Sequence, residues 1–221
     1  MTRTLTLLHT AASHVPRFDA LLKSLKSVDE VDAQHVDMQH VVEASLLADA
    51  RRLGVDDTRV QGRLEQVLAS LAETTAVVLC TCSTLGAAAE AFDGTFGARV
   101  VRVDRPLARE AVAQGSKIAL VAALASTLEP TRALLEDEAA RAGKQITLTM
   151  SVCGDAWSHF ERGDEDAYLR AVAVYVDKVE AHGDVIVLAQ ASMLGAEASV
   201  KTPKPVLSSP RSGLLAALKL L

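Results

Sequence analysis

The sequence contains few residues of several kinds, and each scarcity excludes a class of protein. Its three cysteines, Cys80, Cys82 and Cys153, are too few and odd in number for a disulfide framework. This low count indicates a reducing compartment, and we expect a cytoplasmic protein. Aromatic residues make up only 3% of the chain, which argues against the stacking platforms that bind single-stranded nucleic acids.

Basic clusters and long apolar runs are also missing. Acidic residues outnumber basic ones by 28 to 23, so the net charge is −5, and no block of Lys and Arg offers the positive groove that nucleic acids need. The most apolar stretch, residues 76–92, is interrupted by polar side chains, whereas a membrane span needs about 20 apolar residues. We therefore expect neither a nucleic-acid partner nor a membrane partner.

The motifs of common cofactor and metal sites are absent as well. The chain has no Gly-x-Gly-x-x-Gly, no Gly-x-x-x-x-Gly-Lys and no Gly-x-Ser-x-Gly, which leaves dinucleotide, nucleoside triphosphate and α/β-hydrolase chemistry without support. Cys80 and Cys82 form a Cys-x-Cys pair, but a zinc site needs four ligands and no second cluster supplies them. We expect no cofactor and no metal.

What is present is an alternation of strand-like and helix-like segments. Short apolar runs predict strands, and apolar residues at i, i+3, i+4 and i+7 predict the helices between them. The predicted strands are residues 5–8, 34–42, 76–81, 99–103, 117–123, 146–152, 184–189 and 205–208, and helix stripes fall at 18–25, 60–71, 168–179 and 213–221. Ser126 and Glu129 predict a capping box before a further helix. This alternation favours an α/β protein with parallel sheets.

The two halves of the chain resemble each other. Residues 77–87 align with residues 186–196 at a constant offset of 109, and residues 13–16 align with residues 127–130. Two aligned segments with similar separation indicate a duplicated α/β unit. Because ligands of open α/β folds bind at the carboxyl ends of strands, we expect the site in a crevice there. The small hydroxyl residues that follow several strands suit a small anion such as a carboxylate.

Cys82 is the sharpest candidate for chemistry. It ends the predicted strand 76–81, and Ser83 and Thr84 open the next helix. A helix dipole and unpaired N–H groups at that position favour the thiolate. Ser83 and Thr84 can cap the helix or bind a carboxylate. The alternative is that Cys82 is a small, buried and unreactive residue.

Other polar residues near strand ends have weaker signals. His9 and His40 could act as acid–base groups, although structural or surface roles are commoner for histidine. Glu43 could contact a substrate or could only begin a helix. Cys153 could be a second thiol in the crevice, and packing is the alternative. Cys80 lies one step inside the sheet from Cys82, and we expect it to fill the core.

Four short segments, taken together, resemble the aspartate/glutamate/hydantoin racemase superfamily. They are residues 82–84, 39–50, 187–193 and 205–211. The resemblance covers most of the chain and implies two Rossmann-like α/β domains related by a pseudo-twofold axis, with the active site in the cleft between them. It implies a first domain of residues 1–104 plus 205–221, to which the last helix returns, and a second domain of residues 105–204. It also suggests a homodimer.

The resemblance further implies cofactor-independent proton transfer at the carbon next to a carboxylate, without pyridoxal phosphate. Full racemases of this family use two cysteines, one from each half, on opposite faces of the substrate. Cys82 matches the first of them. The internal repeat places Ala191 at the second position, and the family motif allows Gln190 instead; neither side chain acts as an acid or a base. The chain therefore resembles a member with only the first-half cysteine.

We accordingly expect an isomerase of the racemase or epimerase type that acts on a small acid or amino acid, with Cys82 as the catalytic residue. Its second proton would come from His9, His40 or Cys153. Three alternatives stay open: a one-thiol decarboxylase-like enzyme, an inactive carboxylate-binding protein, and a thiol nucleophile that forms a covalent adduct. The predicted substrate-binding residues are Thr10, Ser83, Thr84, Gln190, Ala191, Ser192 and Ser209, with Ser208 as a further lining residue.

Overall fold

The computed structural model describes residues 3–27 and 35–221. The chain divides into two compact units, one formed by Met1–Val103 with Pro210–Leu221 and the other by Asp104–Ser209. In this division Asp104 and residues 205–209 belong to the second unit, whereas the resemblance implies that they belong to the first domain. Each unit contains a four-stranded parallel sheet flanked by helices, which confirms the predicted α/β class. None of the described helices combines the length and apolar character that a membrane crossing needs.

In chain order, helices separate the four strands of the first unit, and two of these helices fall between its second and third strands. The strands are β1 (Arg3–His9), β2 (Val36–Val42), β3 (Val77–Cys80) and β4 (Arg99–Arg102), and the helices are α1 (His14–Ser27), α2 (Ala44–Leu53), α3 (Thr58–Ala72) and α4 (Ser83–Glu90). The sheet has the order β2-β1-β3-β4. Gln34, the predicted start of the second strand, lies outside the described residues.

Helices cover both faces of the first sheet because its central strands present apolar side chains on both sides. Leu5 and Leu7 of β1 pack with α1 on one face. Leu8 packs with α2, α3 and α4 on the other face. All four residues of β3 are buried. Cys80 has no exposed surface and belongs to the second of these clusters, as expected of a core residue.

The second unit repeats this plan. Its strands are β5 (Lys117–Ala122), β6 (Thr147–Val152), β7 (Val185–Leu188) and β8 (Val206–Ser208), and its helices are α5 (Arg105–Gln114), α6 (Leu128–Arg141), α7 (Gly154–Glu161) and α8 (Glu165–Val179). The sheet order is β6-β5-β7-β8. In both units the first strand in the chain pairs with the second on one side and with the third on the other, and the third pairs with the fourth. This shared order supports the duplication read from the sequence.

The capping box predicted at Ser126 and Glu129 is wrong. A 3-10 turn, Ala125–Thr127, takes up Ser126, so that α6 begins one residue later than the box requires. The residue before α6 is Thr127, whose hydroxyl donates to the Leu124 carbonyl oxygen at 2.7 Å instead of capping the helix.

The last helix, α9 (Ser209–Leu218), follows the second unit in the chain but completes the core of the first. Leu214, Ala217 and Leu218 lie in the same apolar cluster as Leu5 of β1. The core of the first unit is therefore built from both ends of the chain.

Gly213 of α9 lies so close to the end of β4 that no side chain fits there. An added Cβ would overlap the carbonyl oxygen of Val103 and lie 2.5 Å from its Cγ2 atom. We expect Gly213→Ala to lower the free energy of unfolding by about 1–3 kcal/mol, because α9 must move away from Val103. Urea denaturation measures this change.

Gly62 of α3 provides the matched control. An added Cβ there meets nothing within 4 Å, so Gly62→Ala should raise the free energy of unfolding by about 0.5–1 kcal/mol through helix propensity alone. If the Gly213→Ala protein is as stable as the Gly62→Ala protein, α9 does not pack closely against Val103.

Candidate functional site

Polar residues are concentrated at the carboxyl edge of the first sheet, next to an otherwise apolar interior. His9, Thr10, Thr81, Ser83 and Thr84 each keep 7% or less of their surface exposed. The parallel register brings them together, because Leu8 of β1 pairs with Cys80 of β3 and the chain leaves both strands at the same edge. Buried polar groups in such number need partners or a ligand, which makes this edge the candidate site.

Cys82 lies at the junction of β3 and α4. It is the residue before the first turn of α4, with φ −99° and ψ 111°, and its side chain makes no capping hydrogen bond to that helix. Cys82 is therefore the residue next to the positive end of the α4 helix dipole. Cys80 and Cys82 belong to the same buried apolar cluster, in which Cys82 keeps 7% of its surface exposed and Cys80 keeps none.

The predicted binding residues of the first unit lie at the same edge of the sheet as Cys82. Thr10 and Cys82 each follow the paired residues Leu8 and Cys80 by two positions. Ser83 and Thr84 form the first turn of α4, where backbone N–H groups have no acceptor within the helix. The structure thus brings hydroxyls and helix N–H groups to the edge where the sequence predicts a carboxylate.

His9 and His40 are joined in a series of hydrogen bonds that the sequence did not reveal. His9 Nδ1 lies 2.8 Å from Thr81 Oγ1, and His9 Nε2 lies 2.8 Å from His40 Nδ1. His40 Nε2 lies 3.1 Å from Asp19 Oδ1. Asp19 belongs to α1, and its position gives no sequence signal that would separate it from an ordinary surface carboxylate.

Burial keeps two histidines of this edge uncharged. The pKa of His9 is lowered to about 3, chiefly by desolvation and then by the charges of His14 and His40. The pKa of His14 is lowered to about 4, chiefly by desolvation and then by the Arg17 guanidinium. Both imidazoles are therefore uncharged at neutral pH, and neither is an imidazolium that could serve as a general acid.

Arg102 is a charged residue at this edge that sequence reasoning missed. It ends β4, is 4% exposed, and lies against α4. An added Cβ at Gly86 would lie 2.8 Å from Arg102 Nε, so the glycine leaves the space that the guanidinium fills. The sequence feature that could have indicated this contact is Gly86, a glycine within the alanine-rich segment of α4.

In the second unit, hydrogen-bond register identifies the counterpart of Cys82. Leu8 pairs with Cys80, and Val121 of β5 pairs with Leu188 of β7 in the same way. Two residues further along β3 and β7 lie Cys82 and Gln190. The offset between the units is therefore 108 here rather than 109, and Gln190 rather than Ala191 takes the position of the thiol.

Gln190 is held by the backbone of its own unit. Its Oε1 atom accepts hydrogen bonds from the N–H groups of Ala123 at 2.5 Å and Leu124 at 3.0 Å. Gln190 is 7% exposed, and its carboxamide is neither an acid nor a base at neutral pH. The second sheet therefore has a fixed, neutral side chain, Gln190, at the position where the first sheet has the Cys82 thiol.

The remaining predicted residues of the second unit are engaged in local structure. The Ser192 hydroxyl lies 2.8 Å from the Tyr168 hydroxyl, and both are buried. Ala191 is 4% exposed, Ser209 is fully buried at the start of α9, and the Ser208 hydroxyl donates to Glu197 at 3.1 Å.

Cys153 is a packed thiol. Its Sγ donates to the Ala171 carbonyl oxygen at 3.7 Å, and burial raises its pKa. Within residues 3–27 and 35–221, no three His, Cys, Asp or Glu side chains are arranged to hold a metal ion.

The architecture and the polar strand edges define an α/β protein of two repeated units. No protein-family model and no curated protein matches the sequence. Solved structures do match it. The aspartate racemase homologue of Pyrococcus horikoshii OT3 has a TM-score of 0.71 at 8% identity, with 100% of this chain and 99% of that chain covered.

Two further racemases show the same likeness. Picrophilus torridus aspartate racemase has a TM-score of 0.69 at 11% identity, covering 98% of this chain and 92% of that one. Allantoin racemase from Pseudomonas fluorescens has a TM-score of 0.59 at 14% identity, covering 98% and 90%. The chain has the fold of these racemases, and the resemblance drawn from the sequence is confirmed at the level of the fold.

Proposed function

We propose that this protein is an isomerase of the racemase or epimerase type, which moves a proton at the carbon next to a carboxylate without a cofactor. The observation that carries the proposal is the position of Cys82, at the end of the central strand β3 and the start of α4 in a racemase fold. Its substrate is a small acid or amino acid. The solved structures of this fold include aspartate and allantoin racemases.

The chemistry follows from the groups around the thiol. The Cys82 thiolate takes the α-proton, and the C–H bonding pair passes into the carboxylate to give an enediolate. The difficulty of this step is the negative charge that develops on the carboxylate oxygens, and fixed N–H and hydroxyl donors stabilise that charge. Thr10, Ser83 and Thr84 supply such donors. Return of the proton to carbon completes the exchange.

Gln190 supports a reaction in which Cys82 is the only thiol involved. The carboxamide, fixed by the backbone N–H groups of Ala123 and Leu124, is neither an acid nor a base at neutral pH. Return of the proton from Cys82 exchanges the α-hydrogen with retention of configuration, whereas return from a second group inverts it. Stereochemistry therefore separates the two courses.

Incubation in heavy water tests the proposal. A panel of α-amino acids, 2-substituted malonates and hydantoins is incubated with the protein, and loss of the α-proton signal is followed by proton NMR. We expect at least one compound to take up deuterium, and chiral chromatography then reports retention or inversion. If the protein accelerates neither α-proton exchange nor decarboxylation of any compound, the proposal is wrong.

A further inference from the structure

We propose that Thr81, His9, His40 and Asp19, which we call the histidine file, conduct protons between the buried carboxyl edge of the first sheet and the surface. Its service to catalysis rests on the proposed function, since it would carry the proton that Cys82 exchanges. Conduction itself is a property of the protein without substrate and is measured separately.

The geometry of the file is continuous. Its three links measure 2.8, 2.8 and 3.1 Å between heavy atoms, which is hydrogen-bonding distance at every step. Exposure rises along it: His9 has none, the His40 side chain has 12% and the Asp19 side chain has 59%. The file therefore leads from the interior to water without a gap.

The imidazoles use both ring nitrogens within the file. A neutral imidazole donates from one nitrogen and accepts at the other. With both histidines neutral, one arrangement satisfies every link: the Thr81 hydroxyl donates to His9 Nδ1, His9 Nε2–H donates to His40 Nδ1, and His40 Nε2–H donates to the Asp19 carboxylate. All donors then point towards the surface.

A proton that reaches Thr81 from the site passes along this arrangement with the atoms in balance. Thr81 gains that proton and gives its own to His9 Nδ1, and His9 gives its Nε2 proton to His40 Nδ1. Thr81 and His9 each gain one proton and lose one, and His40 becomes an imidazolium beside the Asp19 carboxylate. Loss of a proton from this pair to water completes the transfer, and the reverse sequence brings a proton in.

Two further observations support conduction rather than simple support of the fold. The Thr81 hydroxyl has a second acceptor, the Leu8 carbonyl oxygen at 3.2 Å, to which it turns once His9 carries its proton on Nδ1. His9 stays neutral throughout, as its lowered pKa requires, because it only exchanges one tautomer for the other. His14 touches the edge of the His9 ring, with centroids 5.9 Å apart, and is not a link in the file.

The decisive measurement is the exchange rate of the His9 ring N–H with water, by NMR on the full chain labelled with 15N-histidine. We expect Asp19→Asn to slow this exchange at least tenfold, since the outer carboxylate no longer takes a proton from His40. Asp37→Asn, at an exposed carboxylate of β2 that accepts a hydrogen bond from Gln39, is the matched control and should leave the rate unchanged. His40→Ala should slow the exchange too, and added imidazole should restore it.

The outcomes separate this inference from the proposed function. If Asp19→Asn leaves the His9 exchange rate unchanged, the histidine file does not conduct protons, whatever the catalytic result. The same conclusion follows if imidazole does not restore the His9 exchange rate in a folded His40→Ala protein. If wild-type protein exchanges an α-proton, Asp19→Asn should lower kcat several-fold with KM unchanged. If no acid is turned over, the proposed function fails while the N–H exchange still decides whether the file conducts.

Discussion

Replacing Cys82 with serine is expected to reduce α-deuterium uptake by about 10²- to 10⁴-fold, the range that a positioned acid–base group supplies. A serine hydroxyl has nearly the shape of the thiol but holds its proton too tightly to take one from carbon at neutral pH. Serine is also a favoured residue before a helix, so α4 should form as in the wild type. The rate of loss of the α-proton signal measures the effect.

Cys153→Ala is the matched control, because Cys153 is a packed thiol of the second unit. It removes a sulfur atom without touching the candidate site, and α-deuterium uptake should stay at the wild-type level. If Cys82→Ser keeps wild-type uptake, Cys82 is not the group that moves the proton. If Cys153→Ala abolishes uptake in a folded protein, Cys82 is not the only thiol involved. Circular dichroism confirms that each variant is folded.

Acid should destabilise this protein well before its carboxylates titrate. His9 and His14 have pKa values of about 3 and about 4 in the folded chain, against 6.5 for a free histidine. Below pH 6.5 these two histidines bind protons in the unfolded chain but stay neutral in the folded chain. The free energy of unfolding therefore falls as pH falls. Above pH 6.5 both states are neutral at these positions, and the effect vanishes.

The expected slope is about 1.4 kcal/mol per pH unit for each histidine. Between pH 7.5 and pH 5 the two together should remove on the order of 4 kcal/mol, a large part of the stability of an ordinary domain. Asp57 and Asp93, whose pKa values are lowered below 3.8 by Arg59 and Arg99, contribute only below about pH 4. They therefore lie outside this window.

Urea denaturation at half-unit steps from pH 7.5 to pH 5 measures the slope. His14→Gln removes one of the two groups and should halve the loss of stability, while His182→Gln, at an exposed histidine, should leave the slope unaltered. A wild-type protein equally stable at pH 7.5 and pH 5 would contradict the burial of both neutral histidines.

Much of the fold was predictable because apolar spacing is strong in the elements that cover the sheets. Helices α3 and α8 carry buried residues on a single stripe, and β3 is apolar throughout. Helices α5 and α7 were missed, and no helical stripe was assigned to α2. The buried face of α5 includes the small alanines Ala108 and Ala111, and α7 has only eight residues, so neither gives a clear helical period.

The candidate site was predictable in part for a different reason. Cys82, Ser83 and Thr84 are contiguous, so a single local pattern reveals them. Asp19 joins His40 only through tertiary structure, and a linear sequence does not show that contact. The choice between Gln190 and Ala191 depends on which residues of β7 and β5 share hydrogen bonds, and a shift of one residue between similar segments is invisible until the strands are paired.

The return of α9 to the first unit also determines the order in which the units can mature. During synthesis on the ribosome, Asp104–Ser209 emerges entire before Leu214 and Leu218 become available to cover Leu5. The second unit can thus close its core while the first still exposes an apolar face. The half that carries Cys82 is the last to be finished, and its nascent form is the one that a chaperone would be expected to shield.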